Sequence, residues 1–307
     1  MKKENKLIKF IKENHRLCLG LFFLFTVIFA CTFAFLFTSH DPMTRYENMY
    51  HTPPSSEHPL GTTRLGRDVL AQTLYGGRKS LSVGLFAAAI ATTLSMTVGI
   101  SAGYLGGLYD SVISMITNVM MVIPTIVLLL LIAAMLDGVS PALICIIIGL
   151  TSWPWNARIL RAQTMSIRNR DFVRSAETLG ESKLRILFIE IMPNMLSIIS
   201  SSFVGTLIYA ITAHATLEFI GFGDPLSVTW GTILYNARNT GSFQSGYYWE
   251  VAGAITCLVL IGMGLTLINF AIDEISNPKL RAQRIMKNYY RAQKEQRKQN
   301  KKVGAGS

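Results

Sequence analysis

The chain contains at residues 81–103 the stretch LSVGLFAAAIATTLSMTVGISAG, in which no lysine, arginine, aspartate or glutamate interrupts 23 residues. At about 1.5 Å of rise per residue, a helix of this length crosses the roughly 30 Å hydrocarbon core of a bilayer. A helix of a soluble domain rarely stays uncharged for so long, because one of its faces meets water. The stretch therefore predicts a transmembrane helix.

Five further stretches share this length and this absence of charge, so the chain is predicted to be an all-α polytopic membrane protein. The first stretch follows basic residues, as in a signal peptide, but it has bulky side chains where a cleavage site needs small ones. We expect it to be retained as a helix. The six predicted transmembrane helices are Leu17–Phe37, Leu81–Gly103, Val112–Leu136, Val139–Asn156, Met195–Thr216 and Val251–Ile272.

The basic residues between these helices are distributed unevenly. With the N-terminus inside, the cytoplasmic segments are 1–16, 104–111, 157–194 and 273–307, and the outer segments are 38–80, 137–138 and 217–250. The cytoplasmic side carries 23 of the 29 lysines and arginines and a net charge of +13, against −2 outside. Because basic residues accumulate in cytoplasmic loops, both termini are predicted to be cytoplasmic and the protein to lie in the cell membrane.

The overall charge of +11 therefore reflects topology. Only 15% of the residues are charged and 50% are hydrophobic, which is unlike a soluble nucleic-acid-binding domain. We expect no nucleic-acid partner and predict that the basic tail contacts anionic lipid headgroups.

The predicted organisation is an N-terminal segment 1–16, a first helix 17–37, an outer segment 38–80 with an interfacial helix, a five-helix core 81–272 and a tail 273–307.

Within the outer segment, the interfacial helix is predicted at Asp68–Tyr75 and is expected to end at Gly76 and Gly77, before the second transmembrane helix begins.

The cytoplasmic segment 157–194 is long for a loop between membrane helices and has helical patterning of its own. Asp171 is a favourable N-cap for a helix that reaches Leu179 and ends at Gly180. A second helix is predicted after Ser182, ahead of a proline. Its apolar face is predicted to consist of Leu184, Leu187, Phe188 and Ile191.

Two short helices that meet at a glycine form a compact protrusion. Ser175 and Ala176 are small, so the backbone of a partner protein can approach them closely. The alternative is an interfacial hairpin that binds no partner.

Part of this segment is similar to the coupling loop of ATP-binding-cassette (ABC) importer permeases. Ala176, Gly180 and Pro193 match the spacing of an alanine, a glycine and a proline in the family's Glu-Ala-Ala motif. Arg174 replaces the acid of that motif, and Ser175 replaces its first alanine. The resemblance implies that an ATPase subunit is contacted by Arg174, Ser175, Ala176, Gly180, Leu184 and Pro193.

A second stretch resembles the dipeptide/oligopeptide/nickel permease family. It reads HPLGTTRLGRDVL at 58–70 and LYGGRKSL at 74–81, with Thr63 at a position where the family usually has aspartate. Supporting similarity is found in LEFIGFG at 217–223, followed by a Trp-Gly pair, and in DEISNPKLR at 273–281.

The resemblance implies a type I ABC importer permease fold with specific partners. They are a second homologous permease, two ABC ATPase subunits and an extracytoplasmic solute-binding protein. The implied cargo is a peptide, with nickel, a metal chelate or an oligosaccharide as alternatives.

The sequence contains no Gly-x-x-x-x-Gly-Lys-Ser/Thr phosphate-binding loop, so the chain is predicted not to be an enzyme itself. The predicted membrane helices also lack the acidic and basic residues that ion-coupled transporters use. These two absences favour a subunit driven by separate ATPases over an ion-coupled secondary transporter. A membrane-anchored scaffold is the other alternative. We expect no cofactor in this chain, and ATP and Mg²⁺ in the partner subunits.

Polar or helix-breaking residues within apolar helices are candidates for the transport pathway: Asn118, Pro124, Ser201 and His214. Pro124 is expected to kink its helix, whereas helix packing is an alternative explanation for Asn118 and Ser201. The small residues Gly84, Gly99 and Gly103 more simply serve close helix packing.

Three histidines lie in the predicted outer segment. A metal site needs three or more converging ligands, and the spacing of His40, His51 and His58 establishes no such convergence. We therefore predict no metal ligands.

Overall fold

The computed structural model describes residues 14–135, 140–276 and 286. Within these residues the chain is helical, and an isolated bridge between Thr62 and Asp68 is its only β-type pairing. Residues 1–13 of the predicted N-terminal segment, the predicted outer turn 137–138 and most of the tail 273–307 lie outside the described residues.

The described helices are, in order, α1 (His15–Thr32), α2 (Val69–Leu105), α3 (Gly107–Val122), α4 (Thr125–Ala134), α5 (Pro141–Thr151), α6 (Trp153–Arg168), α7 (Asp171–Thr178), α8 (Leu196–Ile220), α9 (Trp230–Asn239) and α10 (Trp249–Ser276). Shorter helical turns occupy Ala34–Leu36, Lys183–Arg185, Ile186–Ile191 and Met192–Met195.

Five helical stretches of the described chain are long and apolar enough to cross a membrane, and there are six if the bent pair α3–α4 forms one broken span. The predicted all-α architecture is confirmed, but several helix bounds differ from the predicted ones. α2 begins at Val69 rather than Leu81, and α5 with α6 forms one stretch over Pro141–Arg168. The predicted cytoplasmic segment 157–194 therefore begins inside α6.

The separate interfacial helix predicted at Asp68–Tyr75 is wrong, because α2 runs through it without a break. Asp68 is the N-cap, and its side chain accepts a hydrogen bond of 2.5 Å from the amide of Ala71. Gly76 and Gly77 do not end this helix. A Cβ at Gly76 would lie 3.2 Å from Cα of Thr229, so the glycine pair instead permits close contact with the start of α9.

The kink predicted at Pro124 is confirmed. Ile123 has an extended backbone (ψ 122°), as the residue before a proline prefers. α3 and α4 consequently diverge by 80°.

The predicted glycine contacts are also confirmed. An added Cβ would lie 2.5 Å from the carbonyl oxygen of Ala157 at Gly99, and 2.6 Å from that of Arg161 at Gly103. Gly84 packs in the same way against Ile211 of α8. Glycine therefore lets α2 lie directly on the backbone of α6, as small residues do between membrane helices.

The central helix α2 contacts α1, α3, α5, α6, α8, α9 and α10. One buried cluster joins it to α4, α5 and α8, and a second cluster involves α1, α8, α9 and α10. The third cluster lies around the C-terminal end of α2 and anchors the segment after α6. Arg161 of α6 also donates a hydrogen bond of 2.6 Å to Oδ2 of Asp110, which ties α6 to α3.

Candidate functional site

Residues 171–195 form the helical protrusion that the sequence predicts. α7 occupies Asp171–Thr178, and Asp171 is its first residue rather than the predicted N-cap, a position that Arg170 holds. An N-cap residue needs a side-chain oxygen, which Arg170 lacks, and it makes no side-chain cap bond. The acidic side chain in the first turn still interacts favourably with the helix dipole.

Gly180 ends α7 as predicted. Its φ is +78°, its amide donates to the carbonyl of Glu177, and the amide of Glu181 donates to that of Ala176. This hydrogen-bond pair is the Schellman arrangement, which requires the left-handed conformation that glycine adopts most easily.

The second helix of the protrusion begins at Ser182, whose side chain accepts a hydrogen bond of 3.3 Å from the amide of Arg185. The predicted apolar face is only partly correct. Ile186 and Ile191 are buried, whereas Leu184 and Phe188 are 68% and 57% exposed. The segment Ile186–Ile191 is π-helical, and its wider turn shifts the side chains away from the faces that a regular helix would give.

A buried cluster fixes the protrusion against the body of the protein. Val173 and Ala176 of α7 pack with Ile186 and with Ile100 and Tyr104 near the end of α2. Ala176 therefore points inward.

The remaining residues predicted for coupling lie on the surface. Arg174, Ser175, Gly180, Leu184 and Pro193 are exposed. Sequence reasoning missed Leu179, which is 82% exposed at the end of α7. Its position directly before the glycine stop was the available signal, since the tip of a helical hairpin is exposed.

Replacing Gly180 by valine is expected to destabilise the protrusion by roughly 1–3 kcal/mol, because a β-branched residue is strained at positive φ. No atom lies within 4 Å of an added Cβ, so the effect comes from the backbone alone. Gly180→Asn is the matched control and should cost less than about 1 kcal/mol, since asparagine tolerates this conformation. Thermal unfolding of the purified chain measures both. Equal destabilisation by the two substitutions would show that the positive φ of Gly180 is not what requires glycine at this position.

A cavity of about 650 Å³ opens between α3, α4, α5, α6, α8 and the end of α10. Ser201, a predicted pathway residue, lines it and donates a hydrogen bond of 2.7 Å to Oδ1 of Asp273. Also in the lining, Nδ2 of Asn156 donates to Oγ1 of Thr206 over 2.6 Å. The cavity thus combines an apolar body with a few polar groups, as ligand pockets usually do.

The other predicted pathway residues lie outside the lining of this cavity. Asn118 is exposed, and Pro124 acts at the bend that places Thr125 in the lining. His214 is fully buried in α8, with Nε2 3.3 Å from Oε1 of Glu218. Their part in a pathway stays a prediction.

Glu218, which sequence reasoning missed, also accepts a hydrogen bond from the hydroxyl of Thr229. The signal for it was the four-residue spacing from His214, which places the two side chains together on a helix.

Residues 95–282 match the family described as binding-protein-dependent transport system inner membrane component. The chain belongs to this family. The match runs from the last third of α2 through the helical protrusion and beyond the end of α10. The protein is therefore a permease component of an ABC importer and a multi-pass inner-membrane protein.

Relatives of this permease cover most of the chain. The oligopeptide transport system permease protein OppC of Mycobacterium tuberculosis (strain ATCC 25618 / H37Rv) is 33% identical over 235 residues, which cover 76% of this chain and 79% of the relative. The dipeptide transport system permease protein DppC of Bacillus subtilis (strain 168) is 30% identical over 274 residues, covering 88% and 84%.

The permease also resembles a chain of the MetNI methionine ABC transporter, solved in inward-facing conformations. The TM-score is 0.54 at 19% sequence identity, and the similarity covers 67% of this chain and 94% of that chain. The predicted type I importer permease fold is thereby confirmed.

Proposed function

We propose that this permease pairs with a second homologous permease and imports peptides delivered by an extracytoplasmic solute-binding protein. The observation that carries the proposal is the helical protrusion, which is anchored from inside and exposes apolar side chains to a partner. The relatives OppC and DppC are named for oligopeptide and dipeptide transport, which makes a peptide the first cargo to test. Nickel, a metal chelate and an oligosaccharide are the alternative cargoes.

Two ABC ATPase subunits supply the energy in this proposal and bind ATP and Mg²⁺, while this chain binds no cofactor. Leu179 and Leu184 bury apolar surface when an ATPase docks on the protrusion. Movement of the docked ATPase passes to α2, because Val173 and Ala176 share one packed cluster with Ile100.

The cavity between α3 and α8 forms this subunit's half of the pathway, and the second permease closes the open side. Ser201, Asn156 and Tyr209 provide hydrogen-bonding groups for peptide amides. Pro124 shapes the pathway through the bend between α3 and α4, and Asn118 faces the second permease. His214 contributes to the pathway indirectly, through its contact with Glu218.

The charge distribution supports a location with both termini in the cytoplasm. In this orientation segments 38–80 and 217–250 face the binding protein, and the protrusion faces the ATPases.

A cysteine crosslink tests the docking. Ser175→Cys, an exposed position, should form a crosslink with a lysine of the ATPase subunit in the assembled transporter when a short maleimide–succinimidyl ester reagent is added. Val173→Cys is the matched control two residues away; its side chain is completely buried and should not crosslink. Absence of the Ser175 crosslink in an active transporter contradicts the proposed docking.

Uptake by vesicles that contain the transporter and its binding protein tests the cargo. We expect labelled peptide to accumulate only with ATP. Peptide uptake driven by an ion gradient without ATP instead supports a secondary transporter.

A further inference from the structure

We propose that Arg78 binds the phosphate of an anionic phospholipid, whose two acyl chains lie in apolar grooves on either side of α2. Arg78 and Ser82 are one helical turn apart, and both residues line both grooves. Neither groove shares a lining residue with the cavity near α3 and α8. The proposal is therefore independent of the proposed cargo and of the ATPase docking.

The first groove lies between α1, α2, α8 and α10 and has a volume of about 550 Å³. It begins at Arg78 and at the C-terminal end of α1, and it continues along the apolar parts of these helices. We call it the α1 groove. An aliphatic lining of this kind makes dispersion contacts with a hydrocarbon chain, and it includes Leu24, Ile28, Leu85, Leu207, Ile211 and Leu265.

The second groove, the α5 groove, lies between α2 and the start of α5 and has a volume of about 490 Å³. Val83 and Phe86 of α2 form one wall, and Pro141 and Ile146 of α5 belong to the other. Because Arg78 and Ser82 border this groove as well, α2 forms a ridge between the two grooves. Two chains that leave one headgroup at Arg78 can therefore pass on opposite sides of this ridge.

The guanidinium of Arg78 is held in an orientation that leaves a phosphate-binding end free. Nε donates a hydrogen bond of 2.7 Å to the carbonyl of Cys31, and Nη2 donates one of 2.9 Å to the carbonyl of Thr32. These bonds use the Nε–Nη2 edge of the group and satisfy carbonyls at the end of α1. The remaining end, formed by Nη1 and Nη2, presents paired N–H groups that match two phosphate oxygens.

The aromatic ring of Tyr75 fixes the guanidinium further, because the guanidinium carbon lies 4.7 Å from the ring centroid. A donor group that is already oriented loses little conformational entropy when it binds a phosphate.

The depth of Arg78 in the membrane suits a lipid phosphate. Arg78 lies three residues, or about 4.5 Å, before the uncharged stretch 81–103. Phosphates lie just outside the hydrocarbon core that such a stretch crosses. Lys79 adds a second positive charge at this level, next to the α5 groove. Its ammonium donates a hydrogen bond of 3.1 Å to Oγ of Ser227 and keeps further N–H donors. The local charge therefore favours an anionic headgroup.

The α1 groove faces away from the cavity that lines the proposed pathway. Gly205 and Tyr209 of α8 line the cavity, whereas Leu207 and Ile211 line the α1 groove. A shift of two residues turns the direction by about 200° around a helix, so the groove and the cavity lie on opposite sides of α8. The second permease closes the cavity side in the proposed assembly, which leaves the groove to lipid.

Lipid titration followed by native mass spectrometry tests the site, on the full-length chain and on the assembled transporter. The probes are phosphatidylglycerol and phosphatidylcholine with the same acyl chains. We expect one phosphatidylglycerol per chain to bind at least tenfold more tightly than phosphatidylcholine, and this affinity to fall at least tenfold in Arg78→Gln.

Arg238→Gln is the matched control, because Arg238 also donates to a backbone carbonyl, that of Phe219, and lies over an aromatic ring. It lines neither groove, so the affinity for phosphatidylglycerol should equal that of the unmodified chain.

Ser82→Trp is a second variant that keeps the hydrogen bonds of Arg78 to α1. Ser82 is exposed, so the larger side chain fits on the surface, but it fills the ridge between the grooves. We expect this variant also to lose at least tenfold in affinity. The proposal is overturned by equal affinity for the two lipids or by unchanged affinity in either variant. It is also overturned if the assembled transporter lacks the site, because the second permease then covers the grooves.

Discussion

Gly99→Val is expected to abolish the native packing of α2 on α6. The added Cβ lies 2.5 Å from the carbonyl oxygen of Ala157 and 3.0 Å from its Cα, and neither backbone atom can rotate away as a side chain does. Overpacking of this kind costs roughly 3 kcal/mol or more, a large part of a total stability of about 5–15 kcal/mol. We expect most of the variant to aggregate or to unfold at a markedly lower temperature in detergent.

Gly262→Val in α10 is the control for this experiment. No atom lies within 4 Å of a Cβ added at Gly262, so the same substitution meets no steric barrier within the chain. The melting temperature of the purified chain should change little. If both variants melt alike, the close approach of α2 and α6 is not what makes Gly99 necessary.

Leu179→Asp is expected to lower ATP-driven uptake by at least tenfold while leaving the fold intact. Leu179 is 82% exposed, so the substitution removes no internal packing. Under the proposed docking, however, the aspartate is buried against an ATPase without a partner charge, which is strongly unfavourable. Retention of the ATPase subunits during purification and uptake of labelled peptide measure the effect.

Leu226→Asp provides a matched control, because this leucine is 77% exposed in the segment between α8 and α9. It lies in the predicted outer loop, where no ATPase docks. ATPase retention should therefore be unchanged. A transporter that keeps its ATPases and its uptake with Leu179→Asp would argue against docking through the tip of α7.

The sequence predicts those parts of the fold that depend on local chemistry. The uncharged stretches indicate the membrane helices, Pro124 indicates the bend, and Gly180 indicates the end of α7. Pro124 and Gly180 act through their own backbone conformation, and the uncharged stretches through their favourable transfer into lipid. These effects are local, so the nearby sequence is enough to predict the helix, the bend or the helix end.

Features that depend on distant contacts were not predictable in this way. Gly76 and Gly77 carry the same local signal as a helix stop, but they accommodate α9, which is far away in sequence. The π-helical turn at Ile186–Ile191 changes which side chains are buried, and the 3.6-residue periodicity does not reveal it. Likewise, histidine spacing gave no indication that side-chain atoms of His40, His58 and Asp68 lie within 4.8 Å of one another.

The unbroken length of α2 has a mechanical consequence. Its 37 residues span about 55 Å, well beyond the thickness of a bilayer core. One end packs in the cluster that holds the helical protrusion, and the other end packs against Trp230. If this continuous helix moves as a rigid body, a displacement of the end that holds the helical protrusion also shifts the end that packs against Trp230.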